Sequence, residues 1–185
     1  MTLLFSSTFS GISVLWDREF GFLKEIMVAP VSRVSIVLGR IAGGATTSLL
    51  QGITILVLSL FLGFSVPGIG GIAASALFMV LIAVTFISLG LVFASNMKDI
   101  HGFNLITNFI VLPLFLLSGA LFPIENLPGP VRVIAYADPL TYGVDGLRGS
   151  LIGISTFPLL LDLALLALSS LLMVLLGAFF FERCE

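Results

Sequence analysis

Residues 41 to 97 run for 57 positions without an Asp, Glu, Lys or Arg side chain. Water-soluble domains carry about 25% charged residues dispersed along the chain, so a stretch like this has no place in a solvated fold. A helix rises about 1.5 Å per residue and a bilayer core is about 30 Å thick, so roughly 20 residues cross it. The charge-free run therefore predicts two crossings and a turn. Proline and clustered glycines at "SVPGIGG", residues 65–71, set the turn. The spans are then 38–64 and 71–95.

Two more apolar runs follow. One, 103–122, comes after "NMKDIHG"; the other, 157–181, is interrupted only by Asp162. The chain as a whole is 58% hydrophobic and 10% charged, with mean hydropathy +1.23. Membrane barrels need strands of about ten residues with alternating polarity, which the sequence lacks. The expected fold class is an all-α membrane protein: one polytopic helical domain, 1–185, with four full spans. Residues 1–16 are apolar up to Asp17, Arg18 and Glu19 and would reach only about 24 Å as a helix. They show neither a basic start nor a small-residue cleavage site, and predict a span truncated at its N-terminus.

Lys and Arg placement sets orientation in the membrane. With the first loop in the cytoplasm, the inner segments hold Arg18, Lys24, Arg33, Arg40, Lys98 and Arg183, and the outer ones only Arg132 and Arg148. This bias predicts a cytoplasmic first loop and C-terminus.

Catalysis finds no support. His101, the one histidine, has no second ligand at metal-binding spacing and reads as a solvated loop residue beside Lys98 and Asp99. Asp138 and Asp145 lie among turn residues. Cys184, the one cysteine, can build neither a disulfide nor a thiolate metal site within one chain. Neither lysine follows a glycine, so no phosphate-binding loop is present.

The segment "DREFGFLKEIMVAPVSRVSIVLGR", 17–40, holds seven charges in 24 residues. Placing Asp or Arg at mid-bilayer costs roughly 2.5–3.5 kcal/mol each, so Asp17, Arg18 and Glu19 end the first span at the interface. Beyond them Phe20, Leu23 and Met27 recur at helical spacing, Phe22 and Ile26 widen the stripe, and Pro30 stops the helix. A short amphipathic helix over 17–30 either lies among the headgroups or docks into a groove on a cytoplasmic partner.

The passage from 117 to 149 holds four of eight prolines and five of eighteen charged side chains. Asp138 followed by Pro139 is a helix start, a carboxylate cap before proline in the first turn. Leu140, Val144, Leu147 and Leu151 then form a greasy face, and Thr141, Asp145 and Arg148 a polar one. This predicts interfacial helices over 123–151, with Asp145 near enough to pair with Arg148. Tyr136 and Tyr142 suit the headgroup level as aromatic anchors.

Polar residues within the spans are few. Thr47, Gln51 and Thr54 share a face, as do Asn104, Thr107 and Asn108. Such groups either hydrogen-bond neighbouring helices or line a path. Gly39 and Gly43 form a small-residue face, and Pro113 should kink its helix. Asp162, one turn into the last span, is expected to reach the headgroups.

Two passages together resemble a family. "DREFGFLKEIMVAPVSRVSIVLGRIAGG" is similar to the first cytoplasmic loop of ABC-transporter permeases of the type-2 export class, and "LFPIENLP" with "YADPLTYGVDGLR" resembles their extracellular signature. The resemblance covers the chain from Leu3 onward. It implies six spans per permease, of which the second to sixth are represented here, and a separate ABC ATPase subunit docked below. It also implies a second permease copy, in a homodimer or a heterodimer. ATP and magnesium then belong to the partner ATPase, and this chain binds no cofactor and no metal. The expected surroundings are the lipid bilayer of the plasma membrane, with no nucleic acid. On this reading Asp17, Arg18, Glu19, Phe20, Leu23, Ile26, Met27 and Pro30 couple to the ATPase, while Pro139, Thr141, Tyr142, Asp145 and Arg148 form an extracellular gate. Thr47, Gln51, Asn104 and Asn108 are the candidates for lining the path. A secondary, ion-coupled transporter or a non-transporting membrane scaffold is the alternative, toward which a carboxylate such as Asp162 would point.

Overall fold

A computed structural model describes residues 1–22, 28, 32–63, 68–97 and 99–182. Every regular element among them is helical: α1 (Thr2–Ser10), α2 (Ile12–Glu19), α3 (Arg33–Phe61), α4 (Ile69–Asn96), α5 (Ile100–Leu117), a 3₁₀ turn (Ile124–Asn126), α6 (Gly129–Ala137), α7 (Pro139–Ile152) and α8 (Leu159–Glu182). The helices α3, α4, α5 and α8 are long and apolar enough to cross a membrane. This is the all-α polytopic bundle that the charge-free runs predict.

Helix ends follow local chemistry. Gly11, between α1 and α2, keeps helical geometry (φ −62°, ψ −24°), so the two form one continuous rod. Asp99 caps α5 by accepting the Gly102 N–H at 2.6 Å. α5 stops at Leu117, short of the expected 122, because Gly119 turns the chain with φ +78°, which a side-chain-bearing residue rarely adopts. His101 is exposed, though on the first turn of α5 rather than in a loop.

The helix α4 is central. Of its most apolar 18-residue window 56% is buried, against 28%, 22% and 17% in the other three spans, and it packs on α1, α2, α3, α5, α7 and α8. Val14, Val37, Ile87, Leu91, Phe103 and Phe181 fill one half of the core. Leu4, Phe78, Phe86, Val111, Leu140 and Leu166 fill the other. The rod crosses α4 backbone to backbone: a Cβ on Gly90 would overlap the Thr8 carbonyl, and one on Gly11 would overlap Gly90. Ser7 donates to Ser48 on α3 at 3.0 Å, a polar tie inside an apolar bundle.

Candidate functional site

The bundle has two unlike ends. One carries Asp17, Arg18, Arg33 and Arg40; the other is capped by α6 and α7. At the basic end Asp17 on α2 pairs with Arg40 on α3, whose Nη1 also donates to Ser13 Oγ at 2.9 Å. Arg18 Nη1 donates to the Met97 carbonyl at 2.8 Å, tying α2 to the residue that ends α4. Arg33 in turn donates to the Glu182 carbonyl at the end of α8. Glu19 and Phe20 differ from the two residues before them: both are exposed, Phe20 by 74%. The charged cluster is therefore divided, with two side chains holding the bundle and the next two projecting from it. Leu23, Ile26, Met27 and Pro30 lie outside the described residues.

At the capped end, Asp138 joins α6 to α7. Its Oδ1 accepts the Leu140 N–H at 2.9 Å, the expected N-cap with Pro139 in the first turn. Its Oδ2 is buried without a hydrogen-bond partner. Burial pushes this carboxyl up to about 7, and the Leu140 N–H opposes only part of that. Thr141 Oγ1 and the Tyr142 hydroxyl reach back to the Ala135 and Tyr136 carbonyls at 2.6 and 2.7 Å, clasping α7 against α6. The rings of Tyr136 and Tyr142 both stand against Phe157, with centroids 5.9 and 5.8 Å away.

Three expectations meet the structure here, and the second and third are corrected. First, the helix expected to lie along or dip into the outer interface, α7, is sunk against α4. Leu140, Thr141, Gly143, Asp145, Gly146 and Ser150 are all buried, because Gly143 and Gly146 leave room for Ile82 and Phe78 of α4. Second, Asp145 and Arg148 do not pair. Asp145 accepts the Thr156 N–H on both oxygens, at 2.9 and 2.8 Å, and the Phe157 N–H at 2.9 Å. Arg148 turns the other way and donates to the Ala120 carbonyl at 3.1 Å. Main-chain groups compete for both side chains, and a carboxylate accepting several amides gains more than an exposed ion pair offers. Third, Asp162 does not reach the headgroups. It is fully buried, because α8 packs against α7.

Polar groups in the spans are not gathered. Thr47 is exposed on α3 and satisfies itself on the Gly44 carbonyl at 2.8 Å; Thr54 does the same with Leu50 at 2.7 Å. Gln51 is exposed beside them. Asn104 is half-buried and Asn108 exposed on α5, which packs on α4 rather than forming an interface with α3. Gly39 and Gly43 face open space. The sequence reading missed Thr156, Phe157, Ala120 and Met97, all four of which act through main-chain atoms that leave no residue-type signal. The Asp17–Arg40 pair was not read either, since charge alone does not choose Arg40 over Arg18, Lys24 or Arg33.

Four apolar crossings, one end that carries Asp17, Arg18, Arg33 and Arg40, and one end capped by α6 and the buried α7 define a polytopic α-helical membrane domain, with no metal-ligand cluster among the described residues. Within that class the chain belongs to the ABC-2 type transporter family, which matches residues 1–152. It is 35% identical over 143 residues to the transport permease ycf38 of Porphyra purpurea, covering 75% of this chain and 48% of that one. It is 33% identical over 140 residues to the inner membrane transport permease YadH of Escherichia coli K12, covering 74% and 53%. With DrrC of Mycobacterium tuberculosis, a permease protein named for doxorubicin resistance, it shares 28% identity over 160 residues, covering 80% and 53%. The chain thus spans about half the length of the curated relatives it matches.

Proposed function

We propose that this chain is a membrane-spanning permease subunit of an ATP-driven ABC exporter, coupled to a separate ATPase chain through residues 17–30. The division of the charged cluster carries this reading: Asp17 and Arg18 anchor α2 to α3 and to the end of α4, while Glu19 and Phe20 are free to meet a partner. A push on the projecting segment then reaches three helices through one ion pair and one charge-assisted hydrogen bond. ATP and magnesium act on the partner chain, and this chain supplies motion rather than catalysis.

In the working transporter two permease units, identical or not, enclose the path. Thr47, Gln51, Asn104 and Asn108 are offered to it from the uncovered sides of α3 and α5. The basic end faces the cytoplasm and the capped end the exterior, in keeping with the Lys and Arg bias. Pro139, Thr141, Tyr142, Asp145 and Arg148 belong to an outer gate, held shut by the α6–α7 clasp and by the Asp145 hold on the start of α8. The names of relatives, inner membrane transport permease YadH and doxorubicin resistance permease DrrC, support export across a plasma membrane. Impermeant thiol labelling of Glu19→Cys and Glu125→Cys in intact cells tests the orientation. Labelling of position 125 alone is expected, and labelling of position 19 alone contradicts it.

A further inference from the structure

Because Asp145 is held by main-chain amides, Arg148 is left without a counter-ion. A guanidinium is always charged and has five N–H donors. Among the described residues that of Arg148 makes one hydrogen bond, to the Ala120 carbonyl, and no ion pair.

Two cavities meet at this side chain. One is a slot of about 360 Å³ between α3, α4 and α7, walled by Ile55, Leu56, Met79, Leu147 and Leu151. The other is a recess of about 230 Å³ lined by Ser118, Glu125, Thr141, Asp145 and Thr156. Val144 and Arg148 belong to both. The slot is apolar and lies in the half of the bundle nearest α6 and α7. The recess holds one guanidinium and two carboxylates, of which Glu125 is exposed and makes no ion pair among the described residues.

This charge pattern selects among amphiphiles. A head bearing only a phosphate would gain Arg148 and face both carboxylates. A head with a phosphate and a primary ammonium matches both signs, with the phosphate on Arg148 and the ammonium on Glu125. We propose that slot and recess form one binding site for a zwitterionic aminophospholipid, its acyl chain against Leu147 and Leu151 and its head between Arg148 and Glu125. Assignment of that lipid to the outer leaflet rests on the orientation proposed above; occupancy of the site does not.

The test uses the chain reconstituted in nanodiscs with equal parts phosphatidylethanolamine, phosphatidylglycerol and phosphatidylcholine, then released into detergent, with retained lipids counted by native mass spectrometry. Wild-type protein should retain phosphatidylethanolamine in preference to the other two. Arg148→Gln should lower phospholipid retention about fivefold, the size of a partly exposed charge contact, and Arg148→Lys should restore most of it. Glu125→Gln should keep retention but shift it toward phosphatidylglycerol, and Leu151→Trp should abolish it by filling the slot. Equal retention of all three lipids by the wild type overturns the proposal. So does unchanged phosphatidylethanolamine retention in Arg148→Gln and Glu125→Gln. A preference for phosphatidylglycerol that needs Arg148 but not Glu125 overturns the aminophospholipid assignment. Retention is read without transport or ATP hydrolysis, so a failure here is distinct from a failure of the exporter reading.

Discussion

The Asp145 carboxylate receives the Thr156 N–H on both of its oxygens, at 2.9 and 2.8 Å, and through this contact α7 fixes the place where α8 begins. The Phe157 N–H is a second donor, at 2.9 Å. Replacing Asp145 by Ala orphans two amides at a partly buried site. The expected cost is about 2–3 kcal/mol, the penalty for charge-assisted hydrogen bonds left unmade. Arg148→Ala, which gives up one bond to a carbonyl, should cost about 1 kcal/mol. Thermal unfolding in detergent checks the order; an Arg148→Ala loss larger than that of Asp145→Ala contradicts it.

The glycines divide by what surrounds them. Gly90→Ala places a methyl on the Thr8 carbonyl and Gly146→Ala one on the Phe78 ring, so each should destabilise by about 1–3 kcal/mol through overpacking. Gly39→Ala and Gly43→Ala meet nothing within 4 Å, and in the isolated chain each should gain up to about 1 kcal/mol from helix propensity. Unfolding temperatures of the four variants test this directly. A loss at Gly39 or Gly43 that appears only in the assembled transporter would identify that face as a helix contact.

Asp138 makes the α6–α7 junction sensitive to pH. Its carboxyl is raised from an ordinary 3.8 to about 7 by burial, so the folded protein holds the proton more tightly than the unfolded chain. The resulting stability is full below 3.8 and is lost as pH rises through about 7. Acidification from about pH 8 to about pH 6 should therefore raise the unfolding temperature of the wild type. Asp138→Asn, neutral throughout, should flatten that dependence. A wild-type curve that is flat, or that falls on acidification, contradicts the burial of this group.

The Asp17–Arg40 pair is partly exposed, at 16% for Arg40 and 27% for Asp17, so its coupling energy in a double-mutant cycle should be about 1 kcal/mol or less. Its larger effect is expected on transmission. Asp17→Asn and Arg40→Gln should leave the partner ATPase bound but lower transport per ATP hydrolysed. An unchanged transport-to-hydrolysis ratio in both variants removes the pair from the coupling route.

The bilayer made much of this fold legible. A charge-free run can only be a span, whereas the turn at Gly119, which ends α5 at Leu117 rather than the expected 122, went unread. The capped end was harder to read, since Asp145 and Arg148 stand at ion-pairing spacing, yet each found a main-chain partner at positions 156, 157 and 120, which no side-chain pattern announces. The same holds for Arg18 and the Met97 carbonyl. Asp162 looked able to reach water because its distance from the end of the span was readable, whereas the cover provided by α7 depends on two glycines that let the helix sink against Phe78 and Ile82. Of the residues proposed for coupling, Asp17 to Phe20 acquired a geometry, and Leu23, Ile26, Met27 and Pro30 lie outside the described residues.

Central to the account is a soluble ATP-hydrolysing partner that grips residues 17–30, and its binding to the membrane chain is the most direct measurement. Purified transporter should retain the ATPase, with Glu19→Lys and Leu23→Asp each weakening that retention about tenfold or more, while Asn108→Ala leaves it intact. Full retention of the ATPase by both loop variants, or cargo movement by this chain with no ATPase present, contradicts the account.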